Sequence, residues 1–294
     1  MIWPRKFYLV LLYVFTRTTP RWWQRIQNRA VASMVFLLWR RMRQILQNNL
    51  SVVINRPPDD PEVFKAARMI FVNYGLYLLD YTRINRLNKY VMPEQNGDQY
   101  MRQALADGKG AILITPHLGN WELGGVTFAM RGHPIHALTL NDPEVQVQDF
   151  RDRMRATLGI ETVHIDPNNY GTIIKLSRLL SDNQVIAMLG DRWEGGKKVT
   201  VNLFGKKVSF PTGAAALSMA TGAPIIPAFT VMQANGRYLA WMEAPIYVKR
   251  EPGKTALTLF TEKTQEIAMV FEKAIVRYPD QWYHFFDYWE RYAA

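Results

Sequence analysis

Four short, largely apolar runs constrain this chain more than any other feature: Ala111–Thr115, Ile135–Thr139, Val185–Leu189 and Ile225–Phe229. None alternates apolar with polar. A strand reads this way when both of its faces are buried, as in the parallel sheets of α/β proteins. Stretches with helical texture lie between the runs, at about 144–158, 169–181 and 213–222. Strand–helix alternation predicts an α/β fold, a largely parallel sheet flanked by helices. A further helix is expected over 62–84, where Val63, Ala67, Ile70, Tyr74, Tyr77 and Leu78 keep a helical period. Another is expected from about Thr255 to Tyr278, before a closing aromatic cluster from Trp282 to Tyr292.

The first part of the chain differs in charge. Residues 1–56 hold ten of the 36 Lys and Arg residues and no Asp or Glu, and the remainder carries 26 bases against 25 acids. The net charge of +11 therefore belongs to this segment. It also carries nine aromatics, among them Trp3, Trp22, Trp23 and Trp39. Bases mixed with Trp and Tyr suit an anionic membrane surface. The runs Phe7–Phe15 and Ala30–Trp39 are too short for a comfortable span, which needs roughly 20 apolar residues. They read as interfacial or buried helices, with a weak single span as the alternative. No small-residue cleavage site follows the first run, so a secretory signal is not expected. Nucleic acid is not an expected partner, because its basic regions rarely carry so many large aliphatic residues. The break at Pro57-Pro58-Asp59-Asp60-Pro61 divides the reading in two. Residues 1–56 are expected as two or three membrane-associating helices with a stop at Thr18-Thr19-Pro20, and 57–294 as the α/β domain. The absence of cysteine excludes disulfides, thiolate metal sites and cysteine nucleophiles.

The chemistry sits in Thr115-Pro116-His117-Leu118-Gly119-Asn120-Trp121-Glu122, directly after the first buried run. Ligands of open α/β sheets bind beyond the carboxyl ends of the strands. On one regular helix, residues five apart point about 140° away from each other. His117 and Glu122 meet only if the histidine lies in the loop and the glutamate in the first helical turn. Gly119 permits the turn and Asn120 is a good N-cap. Glu122 is then expected to hold the His117 ring and fix its tautomer, the base-and-orienter half of a triad. No protein nucleophile accompanies the pair. The nucleophile is therefore expected on the substrate, as in acyl transfer to a hydroxyl. The bland alternative is a helix-capping histidine beside a surface ion pair.

His117-Leu118-Gly119-Asn120-Trp121-Glu122 resembles the signature of the bacterial lipid A late acyltransferases, the lauroyl and myristoyl transferases, within the lysophospholipid acyltransferase superfamily. The resemblance runs over about residues 40–290. Arg43 through Asn48-Asn49-Leu50, Arg151-Asp152-Arg153-Met154-Arg155, Gly190-Asp191-Arg192, Leu203-Phe204-Gly205 with Pro211-Thr212-Gly213 and Ala220-Thr221-Gly222-Ala223-Pro224, and Pro279-Asp280-Gln281-Trp282 are similar to further family segments, in the same order. The resemblance implies an acyl donor, acyl carrier protein or acyl-coenzyme A. It also implies an anionic glycolipid acceptor such as a lipid A precursor, and a place on the cytoplasmic face of the bacterial inner membrane, peripheral or weakly single-pass. Asp191-Arg192 is also found in mannolipid acyltransferases of the superfamily, which makes a mannolipid or phospholipid the alternative acceptor. No cofactor is implied.

Beside the catalytic pair His117 and Glu122, the candidate substrate-binding residues are Asn120, Arg153, Arg155, Asp191 and Arg192. The two helical arginines suit an anionic headgroup, and backbone donors near Gly119-Asn120, or an arginine, are expected to meet the oxyanion. Gly195-Gly196-Lys197-Lys198 reads as a solvated basic turn. His133, His136, His164 and His284 have no ligand-like spacing and read as structural, with no metal site. A hydrolase using the same pair on water and a non-enzymatic basic membrane-binding protein remain as other classes. Acceptor-dependent product separates the first, and separation of His117 from Glu122 or the lack of a cavity would favour the second.

Overall fold

The computed structural model describes residues 14–84, 91–133, 135–141, 144–166 and 170–294. The apolar run Phe7–Phe15 lies outside these residues except for its last two, as do Asp142 and Pro143.

The four apolar runs form the middle of the sheet. In chain order the strands are β1 Val91–Asn96, β2 Ala111–Thr115, β3 Ile135–Leu140, β4 Ile160–Ile165, β5 Val185–Leu189, β6 Lys198–Leu203, β7 Lys206–Pro211, β8 Ile225–Met232 and β9 Tyr238–Met242. Seven of them make one sheet in the order β1-β9-β8-β2-β5-β3-β4. Strands β8, β2, β5, β3 and β4 run parallel, and β9 pairs antiparallel with β8. Strand alternation sends Ile112 and Ile114 to one face and Ala111 and Leu113 to the other, and all four are buried. Burying a side chain of this size stabilises by about 1.5–3 kcal/mol, so each central strand is committed on both faces. That is why these runs were legible without alternation.

Helices cover both faces. α4 (Asp98–Ala106), α5 (Trp121–Ala129) and Met154 of α6 (Val145–Ala156) pack with Leu113. α7 (Tyr170–Ser181), α8 (Gly213–Thr221) and α9 (Ala256–Arg277) pack with Ile112 and Ile114. β6 and β7 form a separate hairpin whose two linking residues, Phe204 and Gly205, both have positive φ. Two such residues are what a type I′ hairpin turn requires.

Among the described residues, a helical stretch over 14–18 and three further helices precede the sheet: α1 Arg21–Leu38, α2 Arg40–Ile54 and α3 Pro61–Tyr81. The Pro-rich break is the turn between α2 and α3. There Asp60 caps α3 by accepting from the Glu62 amide at 2.8 Å, with Pro61 at the first helical position. Phe36 of α1, Leu46 and Leu50 of α2 and Ile70 of α3 share a buried cluster with Tyr283. Asn49 ties α2 to the far end of the chain. It donates to the Phe286 carbonyl (2.8 Å) and accepts from the Tyr288 amide (3.0 Å).

One face of α1 buries Ala32 and Phe36. The other leaves Trp22, Ile26, Met34 and Leu38 exposed. Each four-residue step turns a further ~40°, so the four spread over about 160° of the helix surface as a broad apolar stripe. Among the described residues no helix is long and apolar enough to cross a membrane.

Candidate active site

His117 stands in the loop between β2 and α5, at the carboxyl edge of the sheet. The loop is pinned on two sides. Asn120 N donates to Thr230 O of β8 (2.7 Å), Gly119 N to Gln281 O (2.9 Å), and Tyr283 N to His117 O (2.9 Å). Gly119 has φ +65°, and a Cβ there would lie 2.1 Å from the Thr230 carbonyl oxygen, so only glycine fits. Asn120 caps α5 by accepting from Leu123 N at 3.0 Å. It is buried against Tyr238 and is not on the wall of the cavity described below. The sequence expectation placed Asn120 toward substrate and the oxyanion near Gly119-Asn120. The side-chain oxygen of Asn120 and both backbone amides are instead taken up within the fold.

The partner of the His117 ring is Asp191, not Glu122. His117 Nδ1 lies 2.6 Å from Asp191 Oδ1. Asp191 Oδ2 accepts from the His117 amide (3.0 Å) and from Trp282 Nε1 (3.1 Å), and lies 3.1 Å from His284 Nε2. A carboxylate only accepts, so Nδ1 of His117 carries the proton and Nε2 is left as the base. The same logic fixes His284. Arg192 Nε donates to His284 Nδ1 at 3.1 Å, so the His284 proton is on Nε2, directed at Asp191.

Electrostatics follow from this chain of contacts. Burial is the largest influence on Asp191 and pushes its carboxyl up. His117 and His284, by charge and hydrogen bond, outweigh it and hold the group well below 3.8. Burial lowers His117 below 6.5, and Asp191 offsets only part of that. Burial takes His284 down to about 3. Both rings are therefore neutral at neutral pH beside an ionised Asp191, and His117 is a base ready to accept a proton.

Glu122 is held elsewhere. Arg155 grips it with Nε at 3.0 Å and with Nη2, and both residues are buried. Burial pushes the guanidinium down, but Glu122 more than compensates and keeps it above its ordinary value. Half-buried Tyr77 and buried Tyr81, beside this pair, are pushed up by loss of solvent first and by Glu122 next, and so remain protonated. The spacing that suggested a His117–Glu122 contact fails because Glu122 turns into the wall shared with α6. Helical periodicity decides between the arginines: Arg155 shares the cavity face with Arg151, while Arg153 points to solvent. Arg192 donates to the Tyr283 carbonyl (2.6 Å) and lies over the Phe286 ring, 5.0 Å from its centre.

A cavity of about 2010 Å³ opens onto these groups. His117, Glu122, Arg155 and Arg192 line it, Gly195, Gly196 and Lys197 stand along it, and most of its wall is apolar. One candidate sits in another place than expected, and one residue was passed over. Asp191 was expected at substrate rather than at the base, and His284 was read as structural. The only sequence signal for His284 is its place two residues after the Pro279–Trp282 segment. In that segment Gln281 pairs with the Met232 backbone at 2.8 and 2.9 Å, which aims the residues that follow at Asp191.

The model of the bacterial lipid A biosynthesis acyltransferase family matches residues 2–291. The phosphatidylinositol mannoside acyltransferase of Mycobacterium tuberculosis (strain ATCC 25618 / H37Rv) is 28% identical over 251 residues, 83% of this chain and 76% of that protein. The phosphatidylinositol mannoside acyltransferase of Mycolicibacterium smegmatis is 26% identical over 249 residues, 83% of this chain and 78% of that protein.

Proposed function

The chain belongs to the bacterial lipid A biosynthesis acyltransferase family and is an acyltransferase; we propose that it moves a fatty acyl chain from a thioester donor, acyl carrier protein or coenzyme A, onto a hydroxyl of an anionic glycolipid. The observation that carries this reading is the His117 ring, fixed as the Nδ1–H tautomer by buried Asp191, on the wall of a large apolar cavity.

His117 Nε2 takes the proton of the acceptor hydroxyl. The oxygen attacks the thioester carbonyl, an ester bond forms, and the carbon–sulfur bond breaks. The departing thiolate takes the proton back from the imidazolium, which Asp191 stabilises in the meantime. Arg192 is the cation nearest this chain of contacts and meets the oxyanion. Glu122 and Arg155, locked together, act as one preformed edge of the acceptor site, with Glu122 accepting from sugar hydroxyls. No covalent acyl-enzyme is needed.

The acceptor is a glycolipid of one of two kinds, a phosphatidylinositol mannoside or a lipid A precursor. The two relatives favour the mannoside. Residues 1–56 hold the protein on the cytoplasmic leaflet of the inner membrane, using the exposed stripe of α1 and the surrounding arginines. Incubation with an acyl thioester and each glycolipid, followed by lipid mass spectrometry, tests the proposal. A mass increase of one acyl group on a glycolipid supports it. Thioester loss without an acylated lipid would leave a hydrolase.

A further inference from the structure

The cavity is too large for one hydrocarbon chain, and its wall comes from both faces of the sheet. Single small-molecule sites occupy about 300–1,000 Å³, against about 2010 Å³ here. Leu113, Ile135, Ala137, Ala187 and Ala228 line it, and all belong to the apolar cluster on the α5 side. Leu138, Met188, Leu176, Leu217 and Phe260 also line it, and all belong to the cluster on the α8 and α9 side. Consecutive residues of one strand, Ala137 and Leu138 or Ala187 and Met188, thus face different parts of the same space, as strand alternation requires.

No passage runs through a hydrogen-bonded sheet. β2 pairs with β5 along its whole length, but β5 pairs with β3 only through Ala137 and Ala187. The two parts therefore join where β3 leaves β5, beyond Ala137 and Ala187, and Leu138, Met188 and Gly190 line the cavity from there toward His117. On the α5 side Ala137, Ala187 and Ala228 present small side chains, and Gly124 and Gly125 of the covering helix also line the space. That side is bordered by Tyr74, Tyr77, Leu78 and Tyr81 of α3, with Phe15, next to the helix that carries the exposed apolar stripe. The other side is enclosed by α7, α8 and the start of α9.

We propose that the cavity holds two hydrocarbon chains at once, one on each face of the sheet, and that the α5-side chamber takes an acyl chain already present on the acceptor lipid. This rests on the acyl transfer proposed above. The donor chain lies in the α8-side chamber, and the two lipids converge on His117 from opposite faces. The acceptor enters by the α3 side because a membrane lipid reaches the site from the surface that touches the membrane.

The test fills each chamber separately and follows transfer by lipid mass spectrometry. Each acceptor is offered intact and with its acyl chains removed, and donors span a range of chain lengths. Ala187→Leu is expected to raise the KM for the intact acceptor by about tenfold, to leave that for the deacylated acceptor unchanged, and to keep the preferred donor length. Leu217→Phe is expected to shorten the preferred donor by about two methylenes and leave the acceptor KM alone. Should Ala187→Leu fail to fold by its melting curve, Ala137→Val makes the same measurement with a smaller intrusion. A single lipid-chain site is the conclusion, and the proposal is overturned, if α5-side variants alter donor length or leave the acceptor KM unchanged. Absence of acylated lipid from the unaltered protein would instead overturn the transfer reaction itself.

Discussion

The site turns on one buried carboxylate. Asp191 is fully buried and receives hydrogen bonds from the His117 amide and ring, Trp282 and His284. Hydrogen bonds to a charged group contribute about 1.5–3 kcal/mol each, which is the scale needed to keep a carboxylate ionised away from water. Because Asp191 raises the His117 pKa while burial lowers it, the sign of a substitution follows. Only neutral His117 accepts a proton, so the acid limb of kcat/KM is expected below pH 6.5. In Asp191→Asn that limb should move to still lower pH, with a plateau at least ~100-fold lower. A limb that moves upward, or stays in place at full activity, contradicts the pairing. The arginines separate just as clearly. Arg155→Ala strands buried Glu122 and should destabilise the fold by about 3–5 kcal/mol, whereas Arg153→Ala, at an exposed position, should stay within about 0.5 kcal/mol. Urea unfolding of the two variants measures the contrast. His117 was legible in sequence because it follows a buried strand. Its partner was not, because 74 residues separate them and only the β2–β5 pairing brings them together.

At the scale of elements, legibility followed burial. Strands β2 and β8, buried nearly throughout, and β3 and β5, buried at their first two residues, appear as largely apolar runs, and the helices α6 to α9 fall between or after them as expected. Strands β4, β6 and β7 alternate in burial or carry exposed lysines, so a search for such runs passes over them. Helix α1 falls in the segment expected to hold two or three helices, but its bounds and orientation were not legible. Packing on α3 decides which face is spent, and it leaves Trp22 64% and Leu38 75% exposed. If that stripe enters a bilayer, Trp22→Glu with Leu38→Glu should abolish flotation with anionic vesicles and leave the melting temperature near that of the unaltered protein. For the unaltered protein, ~1 M salt, where the Debye length is ~3 Å, should weaken flotation without ending it, since the apolar part is not screened. Flotation of the double variant at the original level would remove α1 from the membrane contact.

At the scale of the whole molecule, the two ends of the chain close the site between them. Asn49 of α2 binds the backbone of the segment that follows Trp282, and that segment supplies Trp282 and His284 to Asp191. The N-terminal helices thus support the segment that holds Asp191, and the proposed membrane contact lies on the same helices. The central claim is direct transfer from thioester to lipid hydroxyl with His117 as base and no acylated protein on the way. The measurement that tests it most directly is mass spectrometry of protein and lipid from one reaction, run with and without glycolipid acceptor, for the unaltered chain and for His117→Ala. The account predicts acylated glycolipid only from the unaltered chain, thioester consumption only when acceptor is present, and protein at its unmodified mass throughout. Accumulation of acylated protein without acceptor, or acylated glycolipid from folded His117→Ala at the unaltered rate, would contradict it.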